Sequence, residues 1–444
     1  MRFLLCVVTI IWAVGLAGCL HLGEERNMTH IDVENLNGVR GKAFQVNADT
    51  REFELLKETV IDPQTDEGRS RHTVQWAENA RFIKVVQQNG FMGVEGPVQV
   101  VVSSLDESNM QAAVAGEPFM VMQVTVLGPA DKVEDFASGT DVLQAEFTPD
   151  PESDREWGGS IVIDGRAVPM RLRGPRASVT VRTDASASDF AEGFWETRLT
   201  GEYVGERFVA RELEIFPLVD PRTVDDPALP RVLVIGDSIS MNYHDAAKTA
   251  LQGIANYYRI EGNGGPTTRG VQATELWLGN YWEEGLQWDV IQFNFGLHDL
   301  RQAYDPEKET FGAHQVGVED YKVNLERIIG TLRETGATLM WCTTTPVPQT
   351  RTGSWPEPIG HAGRQKDEDL VFNAAAMEVI HHHPDILVND INTFVRAAPE
   401  LSAWRKKDDV HFWSGDEQAV VGQFVAAQIK RALGVREKAE KQKN

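Results

Sequence analysis

A serine at the end of an apolar run is the residue of this 444-residue chain best placed for nucleophilic chemistry. Ser238 follows the apolar run Val232–Ile235 and the pair Gly236-Asp237, and a helix-compatible segment comes after it. A buried parallel strand brings such a serine to the carboxyl edge of its sheet, where open α/β folds bind ligands. A hydroxyl in this position acts as a nucleophile only with a base and with donors that stabilise an oxyanion.

His411 is the candidate base. It lies in Lys407–Trp413, just before a final helical segment, and Asp408 precedes it by three residues. That spacing allows the carboxylate to orient the imidazole and to stabilise its charge from within one loop. The adjacent Asp409 offers the same chemistry. An Asp-x-x-His pattern is common by itself, and the Gly-Asp-Ser turn upstream makes it specific.

The elements around Ser238 must form a parallel sheet. From residue 231 onward, short apolar runs alternate with amphipathic stretches, one of which carries Leu325, Ile328, Ile329 and Leu332 on a single helical face. Strands are predicted at Val232–Ile235, Asn256–Ile260, Val290–Phe295, Thr338–Thr344 and Ile386–Asp390. Strands separated by helices predict right-handed crossovers and a three-layer, flavodoxin-like α/β fold.

Residues 231–434 resemble the SGNH (GDSL-type) hydrolase superfamily. Gly236–Ile239 matches its first motif block, Gly264–Thr267 resembles its second, and Asp408 with His411 matches the last in spacing and position. The resemblance covers a little under half of the chain. It implies an esterase on a flavodoxin-like sheet that works without a cofactor.

The resemblance also implies a role for each matched residue. Ser238 would be the nucleophile, His411 its base and Asp408 the orienting carboxylate. The backbone N–H groups of Ser238 and Gly265 would contribute to the oxyanion hole.

The third motif block departs from the family pattern. The family usually has Gly-x-Asn-Asp, whose asparagine donates a hydrogen bond to the oxyanion, whereas this chain has His298 at that position of Gly296–Asp299. A neutral imidazole keeps one N–H, so we predict that His298 takes over the donor role. The alternative is that His298 packs beside the site while backbone amides alone hold the oxyanion.

The preceding part of the chain, residues 31–218, is predicted to be β-rich. Short apolar or alternating runs such as Phe119–Val126 and Arg207–Ile215 are separated by turn residues, which favours a sandwich or a barrel. Its role stays open between contact with carbohydrate and simple spacing. A proline-rich linker is predicted at 219–230 and a charged tail at 435–444.

The N-terminus has the pattern of an export signal. Residues 1–18 combine one early arginine with a short apolar stretch that small residues follow. Leu16–Cys19 resembles the bacterial lipobox, so Cys19 is the predicted lipidation site and 19–30 a tether. The alternative is an ordinary cleaved signal with an incidental cysteine. We expect an exported protein, held by lipid at the cell envelope.

The composition and a few motifs limit the classes of molecule that the protein is expected to bind. A formal net charge of −23 argues against nucleic acid, which needs clustered Lys and Arg. His381–His383 is interpreted as a solvated helix end rather than a metal site, and Cys342 as a buried thiol. The segment Gln349–Asp369 is either a loop that covers substrate or an ordinary surface loop. The sequence does not indicate an oligomeric state.

The leading hypothesis is an extracytoplasmic serine esterase that removes O-acetyl groups from carbohydrate. A lipid or thioester hydrolase is the enzymatic alternative. A surface binding protein with a relict hydrolase domain is the alternative of another class.

Overall fold

The computed structural model describes most of the chain after the predicted export signal. The described residues are 36–57, 71–88, 91, 94–103, 105–129, 131, 143–149, 158–173, 177–205, 207–351, 353–356, 359–398, 405–406, 409–412 and 415–443. The predicted signal peptide, Cys19 and the tether lie outside these ranges, and so does Asp408. Within the described ranges, no helix combines the length and the apolar character that a membrane crossing requires.

The chain divides into two compact units between Val219 and Asp220. The first unit contains Asn35–Leu56 and Arg71–Val219, and the second contains Asp220–Asn444. The division falls one residue after 218, the predicted end of the β-rich part.

The first unit is built from strands with short helices between them. Its helices are α1 (Glu107–Ala115) and α2 (Ala187–Glu192). Its strands are β1 (Arg40–Asn47), β2 (Glu52–Leu56), β3 (Arg71–Gln88), β4 (Val98–Ser103), β5 (Phe119–Val121), β6 (Gln123–Val126), β7 (Leu143–Pro149), β8 (Gly158–Ile163), β9 (Arg166–Leu172), β10 (Ser178–Ala185), β11 (Trp195–Val204) and β12 (Arg207–Pro217).

These strands close on themselves. The pairings run β12-β11-β1-β2-β3, and β12 also pairs with β3 in parallel, so these strands form a closed circuit. From β3 the sheet continues as β10-β6-β4-β7-β8-β9-β5. Two separate apolar cores fill the unit. Of the two predicted architectures, the closed circuit corresponds to the barrel, which leaves those strands without a free edge.

The second unit contains a sheet of parallel strands. These are β13 (Arg231–Ile235), β14 (Asn256–Arg259), β15 (Val290–Phe293), β18 (Thr338–Cys342) and β20 (Leu387–Asn389), in the order β14-β13-β15-β18-β20. All residues of β13 and β15 are buried, as expected for strands covered on both faces. This strand order is that of flavodoxin-like sheets. After β13 the chain adds β14 on one side and then β15, β18 and β20 on the other, so the switch point of the sheet lies between β13 and β15. The three-layer arrangement stays a prediction.

Helices and a small second sheet connect these strands. The helices are α3 (Ser238–Ala250), α4 (Thr267–Leu278), α5 (Val318–Arg333), α6 (Glu368–His381), α7 (Ile391–Arg396) and α8 (Asp416–Lys443). The predicted apolar face of α5 is buried. The small sheet pairs β17 (Thr310–His314), β16 (Gln302–Asp305) and β19 (Ala362–Gly363) in that order.

The end of the predicted linker is fixed to the parallel sheet. Asp225 accepts from Arg231 Nε at 2.8 Å, and both side chains are almost fully buried. The guanidinium of Arg231 lies 4.1 Å from the ring centre of Trp288. Residues 225–231 therefore pack as part of the second unit rather than as a free tether.

Candidate active site

Ser238 stands at the start of a helix that leaves the sheet at its switch point. Strand β13 ends at Ile235, and Asp237 caps helix α3 by accepting from the Ile239 N–H at 2.9 Å. Ser238 is the first residue of that helix and is half-buried. The N–H groups of Ile239 and Ser240 in this first turn donate to the side chain and the carbonyl of Asp237, at 2.9 and 3.0 Å.

His411 contacts the Ser238 hydroxyl directly. Its Nε2 lies 2.6 Å from Ser238 Oγ, although 173 residues separate the two in sequence. Its Nδ1 lies 2.7 Å from Asp409 Oδ1. The three side chains therefore form a continuous hydrogen-bonded series from carboxylate to imidazole to hydroxyl, which is the geometry of an activated serine nucleophile.

The carboxylate of this series is ionised. Burial raises the pKa of Asp409, but the hydrogen bond and the charge of His411 outweigh burial and leave this pKa below its ordinary value. The backbone N–H of Val410 also donates to Asp409 Oδ1 at 2.7 Å. An ionised Asp409 accepts a hydrogen bond from the Nδ1–H of His411, and this tautomer leaves Nε2 free to receive the proton of Ser238.

The prediction that Asp408 orients His411 falls on a residue outside the described part of the chain. Asp409, the neighbour that the sequence offered as an alternative, contacts Nδ1. A neutral imidazole carries its proton on only one of its two ring nitrogens. With that proton on Nδ1, His411 has a single N–H to donate to a carboxylate.

Gly265 has the backbone conformation of a glycine-dependent turn. Its φ of 68° lies in the left-handed region, where other residues are strained. The preceding Gly264 N–H donates to the Gly236 carbonyl at 3.0 Å, which ties this turn to the end of β13. The Gly265 N–H itself donates to Asn263 Oδ1 at 2.9 Å. Its predicted oxyanion role therefore requires the Asn263 amide oxygen to give way to the substrate oxygen.

His298 follows strand β15 on the other side of the switch point and is half-buried. Burial lowers its pKa to about 4, with further lowering by the positive charges of Arg364, Arg301, His411 and Arg269. The imidazole is therefore neutral at neutral pH and keeps one N–H. This protonation state is the one that the predicted donor role requires.

The depressed pKa of His298 predicts a loss of stability in acid. The folded value of about 4 lies below the unfolded value near 6.5, so the unfolded chain binds the proton more tightly. The stabilising effect is complete above pH 6.5 and is lost as the pH falls toward 4. We expect wild type to lose about 2–3 kcal/mol relative to His298→Asn between pH 7 and pH 4.

Urea unfolding of both proteins at a series of pH values measures this difference. Asparagine keeps an N–H donor but does not titrate, so it isolates the protonation. Parallel pH curves for the two proteins would contradict a depressed pKa.

Two buried carboxylates beside the site have structural partners. Asp237 caps α3, as described above, and Asp299 accepts from both the N–H and the hydroxyl of Thr267 at the start of α4. Burial raises the pKa of Asp299 to about 7, with the Thr267 hydrogen bonds opposing the rise. Both residues hold helix starts in place.

Sequence reasoning missed Arg364. It lies in the segment Gln349–Asp369, for which a substrate-covering loop was one of two predictions. Thr350 and Arg364 exchange backbone hydrogen bonds at 2.9 and 3.0 Å, so this segment folds back as a hairpin, and β19 within it joins β16. Arg364 Nε donates to the Leu297 carbonyl at 2.9 Å, directly before His298. No spacing rule in the sequence signals this contact.

Other predicted residues lie apart from the hydroxyl of Ser238. His381 ends α6, and His383 Nε2 lies 2.7 Å from Glu326 Oε2 on α5. Across the described residues, no group of three or more His, Cys, Asp or Glu side chains has the arrangement of a metal site. Cys342 is buried, as predicted, and burial raises the pKa of its thiol.

Solved structures similar to this chain include several hydrolases. A lipase/acylhydrolase from Enterococcus faecalis is 18% identical and matches 45% of this chain and 95% of its own, with a TM-score of 0.33. A GDSL-like lipase from Bacteroides thetaiotaomicron is 15% identical and matches 47% of this chain and 88% of its own, with a TM-score of 0.32.

An acetylxylan esterase from Geobacillus stearothermophilus, a catalytic mutant, is 14% identical and matches 46% of this chain and 94% of its own, with a TM-score of 0.30. The chain resembles SGNH (GDSL) hydrolases. Identities and TM-scores this low carry no argument about its activity. No protein-family model and no curated protein matches the chain.

Proposed function

We propose that residues 231–434 form a serine esterase of the SGNH type. The observation that carries the proposal is the hydrogen-bonded series described above, with 2.6 Å between Ser238 Oγ and His411 Nε2 and 2.7 Å between His411 Nδ1 and Asp409 Oδ1. The same residue types serve acyl transfer on unrelated folds, because the chemistry depends on geometry rather than on sequence order.

The mechanism begins with proton transfer from Ser238. His411 Nε2 takes the hydroxyl proton as Oγ bonds to the ester carbonyl carbon, and the carbonyl oxygen becomes an oxyanion. The N–H groups of Ser238 and Gly265 and the neutral imidazole of His298 donate to that oxygen. Asp409 stabilises the imidazolium form of His411.

Collapse of the tetrahedral intermediate breaks the bond to the leaving alcohol. His411 gives its proton to the alcohol oxygen, and Ser238 keeps the acyl group as an ester. Water then repeats the sequence, with His411 taking its proton, and the acid and the free serine are released. No cofactor is needed at any step.

For the substrate, we propose O-acetyl esters of carbohydrate. The charges that act on His298 come from arginines and from His411, and such polar surroundings suit a sugar alcohol better than a long acyl chain. The predicted export signal and the attached β-rich unit fit a polysaccharide outside the cytoplasm. Lipid anchoring through Cys19 at the cell envelope remains part of the proposal.

Acetate release from a panel of acetylated polysaccharides tests this function. We expect release above background, with 4-nitrophenyl esters cleaved fastest at two carbons and more slowly as the acyl chain lengthens. Activity that rises with chain length would favour a lipid or thioester hydrolase. A folded protein without turnover on any ester would favour a binding protein with a relict domain.

A further inference from the structure

Several arginines act on the candidate active site of a strongly acidic protein. The chain carries a formal net charge of −23. Even so, after burial, the largest influence on the pKa of His298 is the charge of Arg364, followed by those of Arg301, His411 and Arg269. Three arginines therefore contribute positive charge near His298.

Arg364 is the member of this group with an uncompensated charge. Its Nε donates to the Leu297 carbonyl at 2.9 Å, and among the described residues neither terminal nitrogen has a hydrogen bond or an ion pair. Burial and the charge of Arg301 lower its pKa to about 10, while Asp237 and Asp409 act on it in the opposite direction without contacting it. Arg364 is partly buried and its guanidinium has no bonded anion among the described residues, so pairing with an anionic group of the substrate would be favourable.

Arg364 contacts the backbone directly before His298. The carbonyl that it contacts belongs to Leu297, the residue before His298, so the guanidinium lies beside the third motif block. The two terminal nitrogens of a planar guanidinium can donate a pair of hydrogen bonds to the two oxygens of one carboxylate. The acetyl group of the intact substrate is uncharged, so an anion that pairs with Arg364 before the attack belongs to the sugar.

We infer that Arg364 recognises a carboxylate on the alcohol part of the substrate, so that the preferred substrate is an O-acetylated uronic acid residue. This inference rests on the proposed esterase function. Arg364 then acts as a specificity-determining residue, which binds the sugar without touching the acyl group.

A matched pair of small substrates tests the inference. Tri-O-acetyl methyl glucuronide and tri-O-acetyl methyl glucoside differ in a carboxylate against a hydroxymethyl group. We expect wild type to prefer the glucuronide by about tenfold or more in kcat/KM, and 0.5 M salt to reduce that preference, since ionic contacts are screened. We expect Arg364→Gln to bring the ratio of the two kcat/KM values close to one.

Arg351→Gln is the control for the loss of one positive charge. Arg351 lies on the same hairpin, is about half exposed and already pairs with Glu309 at 3.4 Å, so its removal should leave the ratio as in wild type. If Arg364→Gln fails to fold, Arg364→Lys replaces it, because lysine keeps the charge but lacks the paired donors and should give a reduced ratio.

The outcomes separate the two proposals. Equal wild-type rates on both sugars, or an Arg364→Gln variant that loses activity on both alike, would overturn the carboxylate inference and leave the esterase intact. Acetate release from neither sugar above the level of Ser238→Ala would overturn both. A shared loss on both substrates would assign Arg364 to holding the Leu297 carbonyl in place.

Discussion

Ser238→Ala is expected to reduce kcat for a short-chain ester by at least about 10⁴-fold, because removal of a triad nucleophile abolishes covalent catalysis. The hydroxyl lies half-buried at the start of α3 and makes its recorded side-chain contact with His411, so its loss should leave the fold unchanged. Hydrolysis of 4-nitrophenyl acetate, with the far-UV circular dichroism of both proteins, measures the effect.

Ser240→Ala is the matched control for this substitution. Ser240 lies one residue beyond Ile239 on the same helix and is buried, and its hydroxyl donates to the Asp237 carbonyl at 2.6 Å rather than to His411. We expect this variant to lose some stability and to keep turnover within about threefold of wild type, since a single hydrogen bond contributes about 1 kcal/mol. Comparable turnover by wild type and Ser238→Ala would refute the nucleophile assignment.

Asp409→Asn is expected to lower kcat by about 10²- to 10⁴-fold. The amide would present a donor as readily as an acceptor to His411 Nδ1, which disfavours the tautomer that leaves Nε2 able to take the serine proton. The imidazolium that forms during attack would also lose a compensating charge at 2.7 Å. Steady-state kinetics with 4-nitrophenyl acetate across a range of pH measures both effects.

Asp408→Asn provides the comparison within the same loop. It removes an equal charge one residue away, so the difference between the two variants isolates the contact with Nδ1. We expect Asp409→Asn to cost much more activity than Asp408→Asn. The reverse order would return the orienting role to Asp408, as the motif spacing suggested.

Local patterns were enough to predict the parallel sheet. Each predicted strand of the second unit overlaps an observed one, because short apolar or aromatic runs between amphipathic stretches mark the strands of such a fold. The predicted helical face Leu325–Leu332 is buried, because its apolar residues recur with the period of an α-helix. Ser238 and His411, which the family resemblance pairs as nucleophile and base, lie in hydrogen-bond contact.

Contacts set by loop geometry were not predictable in this way. The contact of Asp409 with Nδ1 depends on the local turn, in which the Asp409 N–H donates to the Lys406 carbonyl at 3.2 Å. Arg364 reaches the site through the hairpin and its pairing with β16, which joins residues about 60 apart. The closure of β12 on β3 depends on similar long-range pairing, so composition and alternation alone left the sandwich and the barrel open.

The loop that carries His411 has a consequence for how activity is lost. A bridge between Arg405 and Phe412 and a hydrogen bond from the Lys406 N–H to the His411 carbonyl at 3.1 Å shape this loop, and the buried side chains of Val410 and Phe412 anchor it. Local opening needs less free energy than global unfolding, and it would withdraw the base while the strand that presents Ser238 stays intact. Inactivation in mild denaturant should then report the stability of this one loop, and hydrogen exchange at Lys406 and Phe412 should follow it more closely than exchange in β13.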